Sequence, residues 1–269
     1  MLILFKIPRK YLLFLFFSCL CMSNDLHGQL LIGPSAGIQL NWINYEDDVS
    51  FIEPEPVVGY NVGMTVVGKV DKRFFLQAEF LYSRKGKRYE GAIDPDLDFR
   101  MTSHYLELPI VYRVDFKARI GNIPEFKYYL GLGPNLSYWL KSSGTVNSAE
   151  LVEEGLSELE YDVVFGAKDN PEPNELVVDK PNRIQLGVNF AVGLSFQPPS
   201  GNAILVDLRY QLGHSFFARS DFARLLEVSD FADPLRARTN GARVSVSYLF
   251  DTKISQRKKG KSTNKGRER

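Results

Sequence analysis

The chain has 269 residues, of which 44% are hydrophobic and 24% are charged, so it is long enough to bury a sizeable core and too apolar to be disordered throughout. Its 33 Lys and Arg residues nearly balance its 32 Asp and Glu residues, which argues against the basic surface of a nucleic-acid-binding protein. The charge is unevenly divided along the chain. Residues 1–28 contain three basic and one acidic residue, residues 29–250 contain 22 basic and 29 acidic residues, and residues 251–269 contain eight basic and two acidic residues. These net charges of +2, −7 and +6 indicate three parts with different roles.

Residues 1–28 have the pattern of an export signal. Basic residues precede a run of twelve apolar or small residues over 11–22, which is shorter than the ~20 residues that a membrane-spanning helix needs. Gly28 offers a small residue for cleavage, and an N-terminal membrane anchor is the alternative. Both cysteines lie in this segment, so we expect the mature chain to have no disulfide, no thiolate metal site and no cysteine nucleophile.

Eight later segments alternate strictly between apolar and other residues. Each is 10–15 residues long, whereas strands of soluble proteins usually have about 5–6 residues and strands that cross a bilayer need about 9–11. Their length therefore predicts strands that span a membrane. The segments are 30–43, 57–70, 74–83, 104–116, 126–140, 183–196, 203–213 and 240–250.

One face of every segment lacks charge. The even-numbered positions comprise 52 residues, and none is Asp, Glu, Lys or Arg. A charge that faces lipid at the middle of a bilayer costs about 2–4 kcal/mol, which explains the exclusion. The odd-numbered positions hold polar residues and most strand glycines, which suit the crowded interior of an eight-stranded barrel. The alternative is a soluble lipocalin-like barrel, whose roomy exterior would gain nothing from these glycines.

The connections between the segments are 13, 3, 20, 9, 42, 6 and 26 residues long, so long and short ones alternate. Outer-membrane barrels have long extracellular loops and short periplasmic turns. We therefore predict an all-β fold, an eight-stranded antiparallel up-and-down transmembrane β-barrel, with both termini in the periplasm. Aromatic girdles are expected at both interfaces, from Trp42, Tyr60, Tyr82, Tyr138 and Tyr210 at the outer ends and from Phe74, Phe116, Tyr128, Phe196, Tyr248 and Phe250 at the periplasmic ends.

Five pieces of the barrel region resemble the PorT-like family of outer-membrane β-barrel proteins, one of the porin-type families with an outer membrane protein beta-barrel domain. They are 75–86 (FLQAEFLYSRKG), 105–112 (YLELPIVY), 129–134 (YLGLGP), 206–210 (VDLRY) and 246–250 (VSYLF). The resemblance covers about residues 29–250 and implies the same barrel fold. Some members of this family serve a protein-secretion or gliding machinery, and many have no assigned role. The resemblance therefore also implies an accessory role in such a machinery.

Charged residues on the odd-numbered face are expected to pair with one another inside the barrel, since buried charges need partners. Such a network fills the lumen and favours a structural or interaction protein. A narrow porin-like channel for small polar solutes is the alternative. The candidates for the lumenal ion-pair network are Glu79, Glu107, Arg113, Asp207, Arg209 and Arg243.

Catalytic and metal-binding signals are weak. His104 and His214 are expected to be solvated at outer strand ends, and the adjacent pair His214–Ser215 supports only a less favoured hypothesis, a lipid-modifying outer-membrane enzyme. The acidic run 94–98 has Phe99 where an EF-hand loop has glycine. We therefore predict no enzyme activity, no metal site and no cofactor.

The third and fourth outer loops are the candidate contact surface. Ser148 is predicted to cap a short amphipathic helix in the acidic loop 141–182, and Ser220 to cap a helix over 221–228 in the apolar loop 214–239. Exposed apolar clusters mark interaction sites, whereas the alternative is a lid packed over the barrel mouth. The candidate partner-contact residues are Phe216, Phe217, Phe222, Leu225, Leu226 and Phe231.

The predicted organisation is a signal peptide (1–28), a barrel domain (29–250) and a disordered basic tail in the periplasm (251–269). The expected location is the bacterial outer membrane. Expected partners are outer-membrane lipids, a protein at the extracellular loops, and anionic lipid or the acidic cell-wall polymer for the tail. No nucleic-acid partner is expected.

Overall fold

The computed structural model describes residues 30–46, 49–119, 126–153, 155, 158–168, 171–197, 202–225 and 231–252. The predicted signal peptide and the predicted tail beyond Thr252 lie outside these ranges. Within them, no α-helix combines the length and the apolar character that a membrane span requires.

Thirteen strands and one short helix form from the described residues, and the eight predicted segments are all among the strands. The elements are β1 (Leu30–Tyr45), β2 (Ile52–Glu55), β3 (Val57–Lys69), β4 (Phe74–Gly91), β5 (Asp98–Ala118), β6 (Phe126–Asn147), α1 (Ala149–Glu153), β7 (Leu159–Phe165), β8 (Glu175–Val178), β9 (Ile184–Phe196), β10 (Ala203–Gly213), β11 (Phe222–Arg224), β12 (Ala232–Pro234) and β13 (Ala237–Asp251).

Eight of these strands close into an antiparallel ring in the order β1, β3, β4, β5, β6, β9, β10 and β13. The first and last strands close the ring, since β1 pairs with β13, with Ile38 opposite Val244. Closure pairs both edges of the sheet. A β-structure can span lipid only when it is closed in this way, because unpaired backbone groups are costly in the hydrocarbon region. The predicted eight-stranded barrel is therefore confirmed.

Strand alternation separates an apolar outside from a largely polar inside. On the even-numbered face Ile38 is 65% exposed and Phe80 is 59% exposed, whereas on the odd-numbered face Gln39 is 4% exposed and Glu79 is 2% exposed. The lipocalin-like arrangement, with the apolar face inside, is thereby excluded.

The barrel wall continues past the apolar band on one side of the long-loop end, which is the end that carries the predicted long connections. The opposite end is the short-turn end. The predicted second loop (84–103) is mostly a hairpin of β4 and β5, since Glu90 pairs with Asp98. β7 then pairs with β6, β8 with β7 and β11 with β8, and these added strands extend the sheet. The cap comprises them together with β2, β12, α1 and the extended ends of β4, β5 and β6.

The two predicted loop helices have different outcomes. α1 starts after Ser148, whose Oγ accepts a hydrogen bond from the Leu151 amide at 3.4 Å, as predicted. The helix predicted over 221–228 is wrong for its described part, 221–225, because Phe222–Arg224 forms strand β11, and residues 226–228 lie outside the described residues. This strand pairs with β12, and its Arg224 pairs with Val177 of β8. Pairing with these neighbouring strands therefore determines its conformation.

Candidate functional site

Four of the six predicted lumenal residues form one connected ion-pair network in the middle of the barrel. Glu79 accepts hydrogen bonds from Arg209, through Nη1 at 3.1 Å and through Nη2, and from Arg243 Nη2 at 2.7 Å. Arg209 Nε also donates to Asp207 Oδ1 at 2.9 Å. All four side chains are buried, so the network neutralises its own charges inside the ring.

The other two predicted members, Glu107 and Arg113, take different partners. Glu107 Oε1 accepts a hydrogen bond from Lys85 Nζ at 2.6 Å, and Arg113 Nε lies 3.2 Å from Asp115 Oδ1. The sequence prediction included neither Lys85 nor Asp115. Lys85 lies beyond the predicted end of its strand, whereas Asp115 lies at an odd-numbered strand position, and this signal could have identified it as lumenal. Among the described residues, four carboxylates and four cations are therefore buried in the barrel.

An apolar layer, the base layer, closes the interior at the short-turn end. Arg113 lies against it, with its guanidinium carbon 4.3 Å from the ring centroid of Tyr129 and 5.3 Å from that of Phe75. These residues have odd numbers, so the polar character predicted for the odd-numbered face holds only for the middle of the barrel. The base layer consists of Leu31, Val67, Phe75, Val111, Tyr129, Ala191, Ala203, Leu205 and Leu249.

A glycine provides the space that Tyr129 occupies. A Cβ atom at Gly193 would lie 2.3 Å from the Tyr129 hydroxyl oxygen, which is closer than such atoms can approach. The Tyr129 hydroxyl donates to Asp207 Oδ2 at 2.5 Å and so links the base layer to the ion-pair network. The glycine on the odd-numbered face thus relieves crowding at this position, as the strand pattern predicts for the lumen.

A second apolar cluster, the cap cluster, closes the barrel at the long-loop end. It contains twenty buried residues, which come from the cap, from the fourth long loop and from the adjoining ends of the barrel strands. Phe99 stacks on Tyr89 and on Tyr161, with ring centroids 4.7 Å and 5.5 Å apart, and Trp139 packs edge-on against Phe217 at 5.5 Å. With the ion-pair network and the base layer, the described interior is filled at three levels, which disfavours a narrow channel.

A buried ion pair lies inside the cap cluster, and sequence reasoning missed it. Lys87 Nζ donates to Asp233 Oδ1 at 2.6 Å and to the Pro234 carbonyl at 2.8 Å, and the Tyr89 hydroxyl donates to Asp233 Oδ1 at 3.0 Å. The two side chains are only 1% and 0% exposed. Because Lys87 and Asp233 are 146 positions apart in the sequence, only the folded cap brings them together. The pair links the fourth long loop, which contains Asp233, to strand β4 of the barrel wall, which contains Lys87.

Burial raises the pKa of the Asp233 carboxyl above its usual range, and the attraction of Lys87 with the hydrogen bonds from Lys87 and Tyr89 opposes this rise. Aromatic rings surround the ammonium group, with the ring centroids of Tyr45 and Phe217 at 5.4 Å and 5.6 Å from Lys87 Nζ. Each charge therefore depends on its partner, because water does not solvate either group.

The six candidate partner-contact residues do not share one exposed surface. Phe217, Leu225 and Phe231 are buried in the cap cluster, so their prediction as contact residues is wrong. The physical reason is that the fourth loop packs onto the barrel mouth, which is the lid alternative. Phe222 is 49% exposed and Phe216 is half-buried. Leu226 lies outside the described residues.

The predicted girdle residues all lie on the outward face, and none is buried. At the short-turn end Phe116 stacks on Tyr128 with centroids 5.1 Å apart, and at the long-loop end Trp42 lies 5.8 Å from Tyr210. The half-buried residues are Trp42, Phe74, Tyr82 and Phe116, and the exposed ones are Tyr60, Tyr128, Tyr138, Phe196, Tyr210, Tyr248 and Phe250.

The weak catalytic signals do not combine into a site. Ser215 Oγ accepts a hydrogen bond from the Leu186 amide at 2.9 Å, and none joins it to His214 in the described residues. The chain also contains a G-x-S-x-G pattern at 33–37, but it lies inside β1, where Ser35 Oγ accepts a hydrogen bond from Ser247 Oγ at 2.9 Å. A nucleophile elbow requires a sharp strand-to-helix turn instead.

The acidic run 94–98 separates in space. Asp94 Oδ2 accepts a hydrogen bond from the Ala149 amide at 3.4 Å, whereas Asp98 faces Arg88 and Arg100. No group of three or more potential metal ligands converges in the described parts of the chain.

An apolar groove of about 370 Å³ opens between the first three long loops and β12 at the long-loop end. Ile93 on its rim is 81% exposed and Phe51 is 37% exposed. The polar side chains of the lining include Asp94 and Glu150, and the lining has no basic residue. The remaining lining residues are Ile52, Tyr89, Leu97, Ser148, Ala149, Phe231 and Ala232.

The chain is similar to several solved structures and to one family model. Similar solved structures include Neisserial surface protein A (12% identity, TM-score 0.36, covering 82% of this chain and 96% of that one). The attachment invasion locus protein Ail of Yersinia pestis has 12% identity and a TM-score of 0.33, and the match covers 83% of this chain and 99% of that one. The outer membrane protein OprG of Pseudomonas aeruginosa has 10% identity and a TM-score of 0.46, and the match covers 83% of this chain and 95% of that one. No curated protein compared with the chain is significantly similar to it. The family model described as "Outer membrane protein beta-barrel domain" matches residues 22–215, well over half of the sequence, and the chain therefore belongs to this family.

Proposed function

We propose that the protein is a non-conducting interaction component of the outer membrane that binds a protein partner in the groove at the long-loop end. The observation that carries the proposal is the contrast between the two parts of the molecule. The described interior is filled by the base layer, the ion-pair network and the cap cluster. The cap presents an open apolar groove beside strongly exposed Ile93.

In this proposal the long-loop end faces the outside of the cell and both termini lie in the periplasm. Support comes from the alternation of long and short connections, because outer-membrane barrels have their long loops outside. The groove then faces the extracellular medium, where a partner reaches it without crossing the membrane.

The partner that fits the groove is a protein segment with an apolar anchor beside basic residues. The apolar lining suits a buried aliphatic or aromatic side chain. Asp94 and Glu150 supply negative charge at its edge, and the exposed Glu53 and Asp96 add to it nearby. Opposite charges steer association and disfavour wrong partners. We propose a component of a secretion or gliding assembly as this partner, because the resemblance to the PorT-like family implies that setting.

Filling the groove should weaken partner binding. A photo-crosslinking residue at position 93 should form a discrete adduct with a second protein in whole cells, since Ile93 lies at the groove rim. Ala232→Trp places an indole in the same groove and should reduce the adduct about tenfold, the loss expected when an anchor worth about 1.4 kcal/mol is excluded.

Asn174→Trp is the matched control, because Asn174 is exposed on the cap and does not line the groove. The control should keep the full adduct. No discrete adduct from position 93, or equal adducts from the two tryptophan variants, would contradict the proposal.

A further inference from the structure

Three ionisable side chains form a row on the outer surface of the barrel wall. In the strand register Arg84 of β4 lies opposite His104 of β5, and His104 lies opposite Lys141 of β6. A register shift between His104 and Tyr105 turns Lys141 outward, against the parity of the preceding part of β6, so that it joins this row. The sequence pattern alone does not reveal the row.

The two strong cations of the row have no carboxylate partner among the described residues. Within the described parts of the chain, the Arg84 guanidinium donates one hydrogen bond, from Nη2 to the Thr102 hydroxyl at 3.3 Å. On the opposite side of the barrel, Arg236 and Arg238 both face Glu46. Cations at the rim near β13 thus form direct ion pairs, whereas Arg84 and Lys141 form none among the described residues.

The row lies immediately beyond the outer aromatic girdle. Tyr82 precedes Arg84 by two residues on the same face, and its hydroxyl lies 2.5 Å from His104 Nδ1. Tyr82 pairs with Leu106, which pairs with Tyr138, so these three residues mark the edge of the apolar band. Aromatic belts lie at the level of the lipid headgroups, so the cations reach the phosphate region of the adjoining leaflet.

A polar pocket of about 600 Å³ adjoins the row. Arg84 and His104 line one part of it, and the hydroxyls of Thr102 and Ser143 lie beside them and are able to donate hydrogen bonds. Glu160 and Asp162 line it from β7. Asp162 pairs with Ser143 in the register and so faces the position that an anion would take.

We propose that Arg84 and Lys141, with Thr102 and Ser143, bind the phosphorylated headgroup of a membrane lipid in the leaflet at the long-loop end. Phosphate suits paired cations and hydroxyl donors, and the girdle beneath holds the acyl chains of the same lipid. This site lies on the outer surface of the wall and does not depend on the groove or on its partner.

Native mass spectrometry of the full chain in detergent micelles tests the site, with bis-phosphorylated lipid A and its dephosphorylated form as probes. The wild type should retain the phosphorylated lipid preferentially. Arg84→Gln/Lys141→Gln should weaken retention about thirtyfold, which corresponds to about 2 kcal/mol for two cations. Lys72→Gln/Arg73→Gln removes two exposed cations at the short-turn end and should leave retention unchanged.

A variant of opposite sign separates binding from misfolding. Asp162→Asn removes a carboxylate from the pocket and should strengthen retention about fivefold. Equal retention by the wild type and Arg84→Gln/Lys141→Gln would overturn the proposal, as would retention of the dephosphorylated lipid as strong as that of the phosphorylated one. Inorganic pyrophosphate that displaces the lipid at equal concentration would identify a soluble phosphate as the ligand and overturn the assignment to a lipid.

Discussion

Replacing Asp233 with leucine should destabilise the cap by about 3–5 kcal/mol, because removal of one partner leaves the other charge buried and uncompensated. Lys87 would then lie among aromatic rings, and the Pro234 carbonyl would be its only remaining hydrogen-bond acceptor among the described residues. Unfolding in urea, followed by the fluorescence of Trp139 in the cap cluster with Trp42 replaced by phenylalanine, measures the loss.

The double variant Lys87→Met/Asp233→Leu separates charge from packing. Replacing both partners with apolar residues removes the uncompensated charge, so most of the lost stability should return. Arg88→Met on the same strand is the matched control, since Arg88 is 32% exposed and its ion pairs are partly solvated. Its cost should stay within about 1 kcal/mol. If Asp233→Leu alone lowered the free energy of unfolding no more than Arg88→Met does, the stabilising role of the pair would be refuted.

Glu79→Gln should destabilise the barrel by about 3–5 kcal/mol, because the ion-pair network would keep both arginines and lose one of its two carboxylates. Arg243 would lose its only carboxylate partner in the described part of the chain. Unfolding of the protein in phosphocholine vesicles by urea measures the change.

Glu90→Gln provides the matched control for the network. It makes the same chemical change on the same strand, but the Glu90 side chain is 52% exposed and faces Arg88 in solvent. This variant should remain within about 1 kcal/mol of the wild type. Equal stability of Glu79→Gln and Glu90→Gln would show that the lumenal charges contribute little.

Period-two patterning predicted the barrel wall from the sequence because the two faces of each strand meet different environments. Lipid excludes charge from the even-numbered positions, so the pattern alone predicted the number of barrel strands, the outward face of each strand and the membrane-spanning character of the barrel. The same parity identified Glu79, Asp207, Arg209 and Arg243 as lumenal residues. It also contained the signal for Asp115, which has the odd number of that face.

The cap could not be predicted in this way, because both faces of its strands lie outside lipid. The outward positions beyond Tyr82 on β4 are charged residues and one glycine, so the apolar pattern ends there although the strand continues to Gly91. The register shift at His104 then changes the parity of β6. Short apolar runs such as 221–228 fit a helix or a strand equally well, and contacts distant in sequence decide between them.

Planar-bilayer recording of the purified full chain tests the central claim, that this barrel is filled and acts through its surface. Heat-modifiable migration on gels verifies folding, and a general porin inserted in parallel verifies the bilayer. Three filled levels predict no steady conductance from the folded protein. Reproducible current steps of one size, present with folded protein and absent with unfolded protein, would contradict the account and favour the channel.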